Sequence, residues 1–145
     1  MRIETYSDRY FGDVVKLVEN FHKEAVAEYE DTFKPESVIE IIKTADRMNA
    51  FLLIINETCQ GILYGMTSKS FTSDKIIFQE LIWYVNEPFR SYGVRLLRDV
   101  EKVLKVRGIS IIIMAVLENS KTEKLKKFYE RLGYKRMETH YIRSL

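Results

Sequence analysis

Residues 76–116 constrain the fold more than any other part of the chain. An apolar run from Ile76 ends at Ile82-Trp83-Tyr84-Val85, and Pro88 breaks it into a turn. A helix follows, with Val94, Leu97, Val100, Val103 and Leu104 along one side and Arg98, Glu101, Lys102 and Lys105 along the other. Gly108 sits where a helix stops. Ile109 to Val116 is then a near-continuous apolar run, expected as a strand buried on both faces of a sheet. Strand, helix and strand in this order imply a right-handed parallel crossover, and hence an α/β sheet.

The turn between the first strand and the helix carries chemistry of its own. Val85-Asn86-Glu87-Pro88-Phe89-Arg90-Ser91-Tyr92-Gly93-Val94-Arg95 places a glycine in the first turn of a helix. Backbone N–H groups left free there, with the positive end of the helix dipole, attract an anion, and Arg90 adds a full charge. Pyrophosphate suits such a site. One Gly and one Arg at a strand-to-helix junction are also ordinary structural features, so this stretch alone leaves both readings open.

Composition narrows the field. A chain of 145 residues is expected to form one domain, 1–145, burying about 70% of its unfolded surface. A net charge of +2 with mixed signs gives no basis for a nucleic-acid or anionic-membrane partner. The aromatic residues fall on apolar stripes with no basic groove beside them, which also argues against base stacking. One cysteine, Cys59, excludes an internal disulfide and suits a reducing cytoplasm. The N-terminus lacks the basic-then-apolar pattern of a signal peptide, and no apolar run approaches the ~20 residues of a membrane span. His22 and His140 have no ligand partners at metal-binding spacing, so no metal site is expected.

The remaining elements follow from periodicity. Residues 2–6 read as a strand and 8–28 as a helix with Val14, Leu17, Val18, Phe21 and Ala25 on its core face. Pro35 opens a second helix whose stripe is Val38, Ile41, Ile42 and Ala45. Residues 50–66 read as a hairpin turning at Asn56-Glu57-Thr58, residues 67–75 as a loop, and Ile76–Val85 as an antiparallel strand. Ser120-x-x-Glu123 is a capping box that starts a helix just after Asn119, with Leu125, Phe128, Tyr129 and Leu132 as its stripe and Gly133 as its end. Tyr134–Ile142 reads as a last strand. The order is β-α-α-β-β-β-α-β-α-β, a mixed, mostly antiparallel central sheet flanked by helices.

That order, with an anion-binding turn after the fourth strand, resembles the GNAT-type N-acetyltransferase superfamily over nearly the whole chain. Residues 85–95 are similar to its acetyl-CoA pyrophosphate loop, Arg/Gln-x-x-Gly-x-Gly/Ala. Phe128-Tyr129-Glu130-Arg131-Leu132-Gly133-Tyr134 resembles its Tyr-x-x-x-Gly-Phe/Tyr segment. The chain departs from the pattern at Arg95, which stands where a small residue is usual, so its side chain must point away or lend its charge to a phosphate. Asn119, ten positions ahead of Tyr129, departs in spacing from the Asn frequent at the start of the family's last helix.

The resemblance implies a co-substrate, acetyl-CoA, and a small-molecule or peptide amine as acceptor. It places the pyrophosphate on Arg90, Ser91, Tyr92, Gly93, Val94 and Arg95, with Asn119 nearby, and the pantetheine arm on the main chain of Trp83, Tyr84 and Val85. It makes Tyr129 the acid that protonates the leaving thiolate; without the resemblance, Tyr129 is one member of a helix stripe. For the base the family's place falls at Gln79, and Glu80 is the neighbouring carboxylate. A β-bulge would turn Glu80 into the cleft, and a water relay is the alternative base. His22, Glu24, Glu28, Glu30 and Asp31 form an acidic rim that would suit a cationic amine. A homodimer paired through a C-terminal edge strand is expected from fold analogy. A catalytically inactive GNAT-fold protein that binds acyl-CoA or a partner competes with the enzyme reading, because Arg95 and the ambiguous base weaken the match.

Overall fold

A computed structural model of the chain describes residues 1–29, 32–44, 47–118 and 121–145. Five strands form one sheet in the order β1-β2-β3-β4-β5: Arg2–Thr5, Ala50–Ile55, Thr58–Lys69, Ile76–Val85 and Ile111–Ile113. The first four pair antiparallel, and β5 joins β4 in parallel over Ile77–Gln79 and Ile111–Ile113. The hairpin between β2 and β3 turns on Asn56 and Glu57, with φ of 50° and 60°, the backbone a two-residue hairpin loop demands.

Four α-helices cover the two faces. Phe11–Phe21 (α1) continues as a π-helical turn through His22–Val26, and Pro35–Thr44 is α2. Both pack on one face, where Val14, Leu17, Val18, Ile39 and Ile42 meet Leu52, Ile54, Ile62, Ile82 and Tyr84. Gly93–Val106 (α3) and Thr122–Arg131 (α4) cover the other. There Leu96, Leu97, Val100, Leu104 and Tyr129 meet Phe51, Leu53, Leu63, Phe78 and Val85.

Several boundaries and stripes differ from expectation. In α2 the buried residues are Ile39 and Ile42, while Ile41 is 54% exposed and Ala45 lies outside the described residues. In α3, Leu96 takes the core place expected of Val94 and Val103, both more than a third exposed. The helix starts at Gly93 after a tight 3-10 turn over Glu87–Tyr92, and Leu97, Val100 and Leu104 keep their expected core places. β3 runs on to Lys69, so the loop begins only at Ser70. The apolar run 109–116 forms three residues of strand, and these are at most half-buried because β5 closes the sheet at its edge. No strand forms over 134–142, and Met137, Tyr141 and Ile142 stand in solvent. α4 begins at Thr122, with Ser120 of the proposed capping box outside the described residues.

Candidate functional site

β4 does not keep one register against β3. Tyr64 pairs with Ile82 and Gly65 with Glu80, so Leu81 is an extra residue. A bulge of this kind reverses the faces of everything beyond it. Phe78, before it, faces α3 and α4; beyond it Ile82 and Tyr84 face α1 and α2, while Trp83 and Val85 face α3. Gly65 permits the bulge: a Cβ there would lie 2.5 Å from both the Gln79 carbonyl oxygen and the Phe78 ring.

Glu80 is 7% exposed beside this bulge. Its Oε2 accepts the Ala115 N–H at 2.9 Å. The regular β4–β5 ladder ends at Gln79 and Ile113, so a carboxylate replaces main chain at the place where the two strands part. Burial lifts the Glu80 carboxyl to about 7 against the opposing pull of the Ala115 hydrogen bond. The Tyr129 hydroxyl donates to the carbonyl of the same residue, Ala115, over a long 3.4 Å. Burial first, then the nearby charges of Glu80 and Tyr134, push the Tyr129 phenol well above its ordinary range, so it holds its proton. Gln79, the other candidate place for a base, is exposed.

Trp83 packs against Phe128 and Tyr129, with ring centroids 5.8 Å from each. Its indole Nε1 is buried with no hydrogen-bond partner among the described residues. Trp83, Tyr84 and Val85 pair with Leu63, Ile62 and Gly61 of β3 along one edge. Their other edge has no strand beside it, since β5 pairs only with 77–79. That free edge and the orphaned indole donor fit an extended arm carrying amide groups.

The loop expected to cradle pyrophosphate has a different form. Over Glu87–Tyr92 the chain winds as a 3-10 helix, and the Gly93 N–H is bonded to the Arg90 carbonyl rather than left free. Arg90 does not face outward alone. Its Nη2 pairs with Glu24 Oε2 at 2.7 Å and its Nε donates to the Val85 carbonyl at 3.4 Å. Ser91, Tyr92 and Val94 are exposed, and Gly93 packs in van der Waals contact range of Trp83 and Val85. Arg95 extends along α3 to Asp99 at 3.6 Å. Asn119 lies outside the described residues.

Of the described acids of the expected rim, Glu28 is exposed and Glu24 is engaged with three partners. Glu24 accepts the Tyr84 hydroxyl at 2.8 Å and pairs with Lys121 at 3.5 Å as well as with Arg90. Although desolvation opposes it, these three partners hold the Glu24 carboxyl below its usual range. Glu30 and Asp31 lie outside the described residues. His22 is buried and stacked on Phe33, with centroids 4.2 Å apart and planes 14° from parallel. It lines a cavity of about 390 Å³ between the end of α1, α2 and β4, with Val18, Phe21, Val26, Val38 and Ile82. Neither this cavity nor the Glu24 bridge was legible in the sequence. Glu24 and Arg90 stand 66 residues apart, and nothing in either neighbourhood signals the other.

Among the described residues there is no group of His, Cys, Asp and Glu able to hold a metal, and no helix long and apolar enough to cross a membrane. No family model matches the chain, and no curated protein does. Solved structures share its fold. An aminoglycoside acetyltransferase from an uncultured soil metagenomic sample aligns over 99% of this chain and 97% of its own, with a TM-score of 0.72 and 14% identity. A ribosomal-protein-alanine N-acetyltransferase from Brucella melitensis biovar Abortus 2308 aligns over 100% of both chains, with a TM-score of 0.76 and 12% identity. A transcriptional regulator from Bacillus halodurans C-125 covers 99% of each, with a TM-score of 0.77 and 17% identity. The chain shares the fold of these structures, two of which are acetyltransferases by name; at these identities the likeness speaks to the fold.

Proposed function

We propose that the chain is an acetyl-CoA-dependent N-acetyltransferase acting on a primary amine. One observation carries this reading: where β4 and β5 part, Glu80 and Tyr129 both meet the main chain of Ala115, one at its N–H and the other at its carbonyl. A carboxylate titrating near neutrality can take a proton from an ammonium, and a phenol that stays protonated can give one to a thiolate. The amine nitrogen attacks the thioester carbonyl, a C–N bond forms and the C–S bond breaks. Glu80 receives the ammonium proton, directly or through water; Tyr129 supplies a proton to sulfur, and the proton that the attacking nitrogen sheds as the amide forms restores the phenol. The free edge of Trp83–Val85 would hold the pantetheine arm. Arg90 and the start of α3 would meet the pyrophosphate once the 3-10 turn opens and Arg90 leaves Glu24. Arg95, on the solvent side of α3, adds long-range charge.

A thermal melt with and without acetyl-CoA tests this, with Arg90→Glu as control. Ligand at about 100 times its Kd stabilises by about 2.7 kcal/mol, a shift of several degrees. A shift in the wild type that the control lacks, together with thiol release in the presence of amines, is the expected result. No shift would sink the reading.

A second reading is favoured by the Glu24–Arg90 pair and the wound loop. A catalytically inactive GNAT-fold regulatory or interaction protein has no need of an open phosphate cradle. Absence of an acetyl-CoA thermal shift, with no thiol release for any amine, would select it.

A further inference from the structure

We infer that the indole N–H of Trp83 donates a hydrogen bond to the co-substrate, lying unmet in the free chain and uncovered when the turn ahead of α3 opens. This rests on the acetyl-transfer reading and adds one residue that contacts the co-substrate. An indole N–H only donates, and its place in the ring leaves it no other orientation. A buried donor without an acceptor costs free energy that phenylalanine in the same place would avoid. Among the described residues, two buried side-chain polar atoms have no partner, the Tyr6 hydroxyl and Trp83 Nε1. Tyr6 has Asp8 close by and packs on the face of α1 and α2. Trp83 is the orphan that lies in the candidate site.

Its indole joins the two halves of that site. The ring stands 5.8 Å, centroid to centroid, from both Phe128 and Tyr129. The edge that carries Nε1 lies at the start of α3: a Cβ built on Gly93 would stand 3.7 Å from Cζ2, the ring carbon next to the one that bears Nε1. The main chain of Trp83 pairs with Leu63 on one side and faces the parting of β4 and β5 on the other. An arm laid along that free edge therefore passes the residue that owns the donor.

Solvent does not reach Nε1, although Trp83 as a whole is only partly buried. Gly93 ends the 3-10 turn over Glu87–Tyr92, its N–H bonded to the Arg90 carbonyl. Opening of that turn, which brings the start of α3 to the phosphates, lifts Gly93 from the indole edge and lets an acceptor oxygen reach Nε1. That oxygen is a carbonyl of the arm or a phosphate oxygen at its end. The bond it makes replaces none in the free chain, so its worth appears as affinity.

The chain has one tryptophan, so the test can be confined to this atom. Incorporating β-(3-benzothienyl)alanine in place of tryptophan exchanges the N–H for sulfur and keeps the shape of the ring. We expect this protein to bind acetyl-CoA about five-fold more weakly in calorimetric titration. Without ligand it should melt no lower than the wild type, because it loses no bond and sheds an unmet donor. In the wild type, acetyl-CoA should move the single indole N–H proton resonance downfield. Trp83→Phe should show the same loss of affinity and serves if the analogue protein does not fold. A lower melting temperature for the analogue protein would mean that the N–H is already bonded in the free chain. Unchanged affinity would mean that the co-substrate never meets it. Either result overturns the inference and leaves the acetyl-transfer reading standing. Adenosine 3′,5′-bisphosphate, which lacks the arm, tells the two oxygens apart: a loss confined to acetyl-CoA gives the arm carbonyl, and a loss with both gives the phosphate. Weaker binding by the analogue protein, with no thiol release from the wild type for any amine, would support the role of Trp83 and remove the acetyl-transfer reading instead. A wild type that does not bind acetyl-CoA overturns both.

Discussion

The Glu80 carboxylate accepts the Ala115 N–H one residue beyond the last β4 residue that pairs with β5, so a titratable side chain completes a hydrogen-bond ladder that main chain leaves unfinished. Its carboxyl rises from an ordinary 4.5 to about 7 on burial. Between those values the folded chain binds the proton more tightly than the unfolded chain. This contribution to stability is therefore full below about pH 4.5 and is lost as the pH rises through about 7, on the order of 3 kcal/mol in total. Urea denaturation at pH 5 and pH 8 should show the decline, and Glu80→Gln, which keeps an acceptor for Ala115, should flatten it. A Gln variant with the wild-type slope would place the titration elsewhere.

Catalysis should follow the same group in the opposite sense. If Glu80 takes the ammonium proton, kcat/KM rises with pH about an inflection near 7, and Glu80→Gln removes that limb. A profile with the limb intact in the variant points to water alone as the base.

Tyr129→Phe deletes a hydroxyl whose hydrogen bond to Ala115 is long. The ring contacts with Trp83, Phe128 and Tyr134 survive the change. We expect kcat to fall about 10²-fold with the Kd for acetyl-CoA unchanged, the pattern of a group that acts in the transition state. An unchanged kcat would return Tyr129 to a packing role.

Glu24→Gln should cost less than about 1 kcal/mol, because the pair with Arg90 is partly exposed on both sides. It should tighten acetyl-CoA binding several-fold by releasing Arg90 from an internal anion. Weaker binding would show instead that Glu24 positions Arg90 for the phosphates.

Gly65→Ala tests the bulge directly. The added methyl meets main chain of β4 as well as the Phe78 ring, so relief requires the strand to move. A loss of about 1–3 kcal/mol in chemical denaturation is expected, with Glu80 displaced and activity lost beyond what stability explains. A stable, active variant would mean the bulge is not held by this contact.

Wherever burial on one face generates a repeating pattern, the sequence is readable: β2, β3 and β4, α1, and the Gly108 and Gly133 stops, whose φ values are 86° and 92°. It misleads at the borders of a stripe. In α3, Leu97, Val100 and Leu104 are buried as expected, and Leu96, four residues before Val100, joins them while Val94 and Val103 stay more than a third exposed. The 109–116 run is apolar because several of its residues pack under α3 and α4, not because a strand continues there. In the candidate site, Glu80 and Tyr129 carry recognisable residue types in recognisable places. The peptide groups they meet, the Glu24 bridge and the cavity walls come from contacts between distant segments, which no local pattern encodes.

Leu81 is 42% exposed, and its side chain matters less than its place outside the ladder. Were β4 to straighten with Leu81 taken into the ladder, Ile82 and Tyr84 would turn toward α3, and Trp83 and Val85 toward α1, exchanging partners across the whole sheet. Deleting Leu81 would instead remove the unpaired residue and leave every one of those faces as it is. One surface leucine is therefore slack in the strand, and the two interiors stay assigned to the correct residues only as long as it is kept out of the ladder.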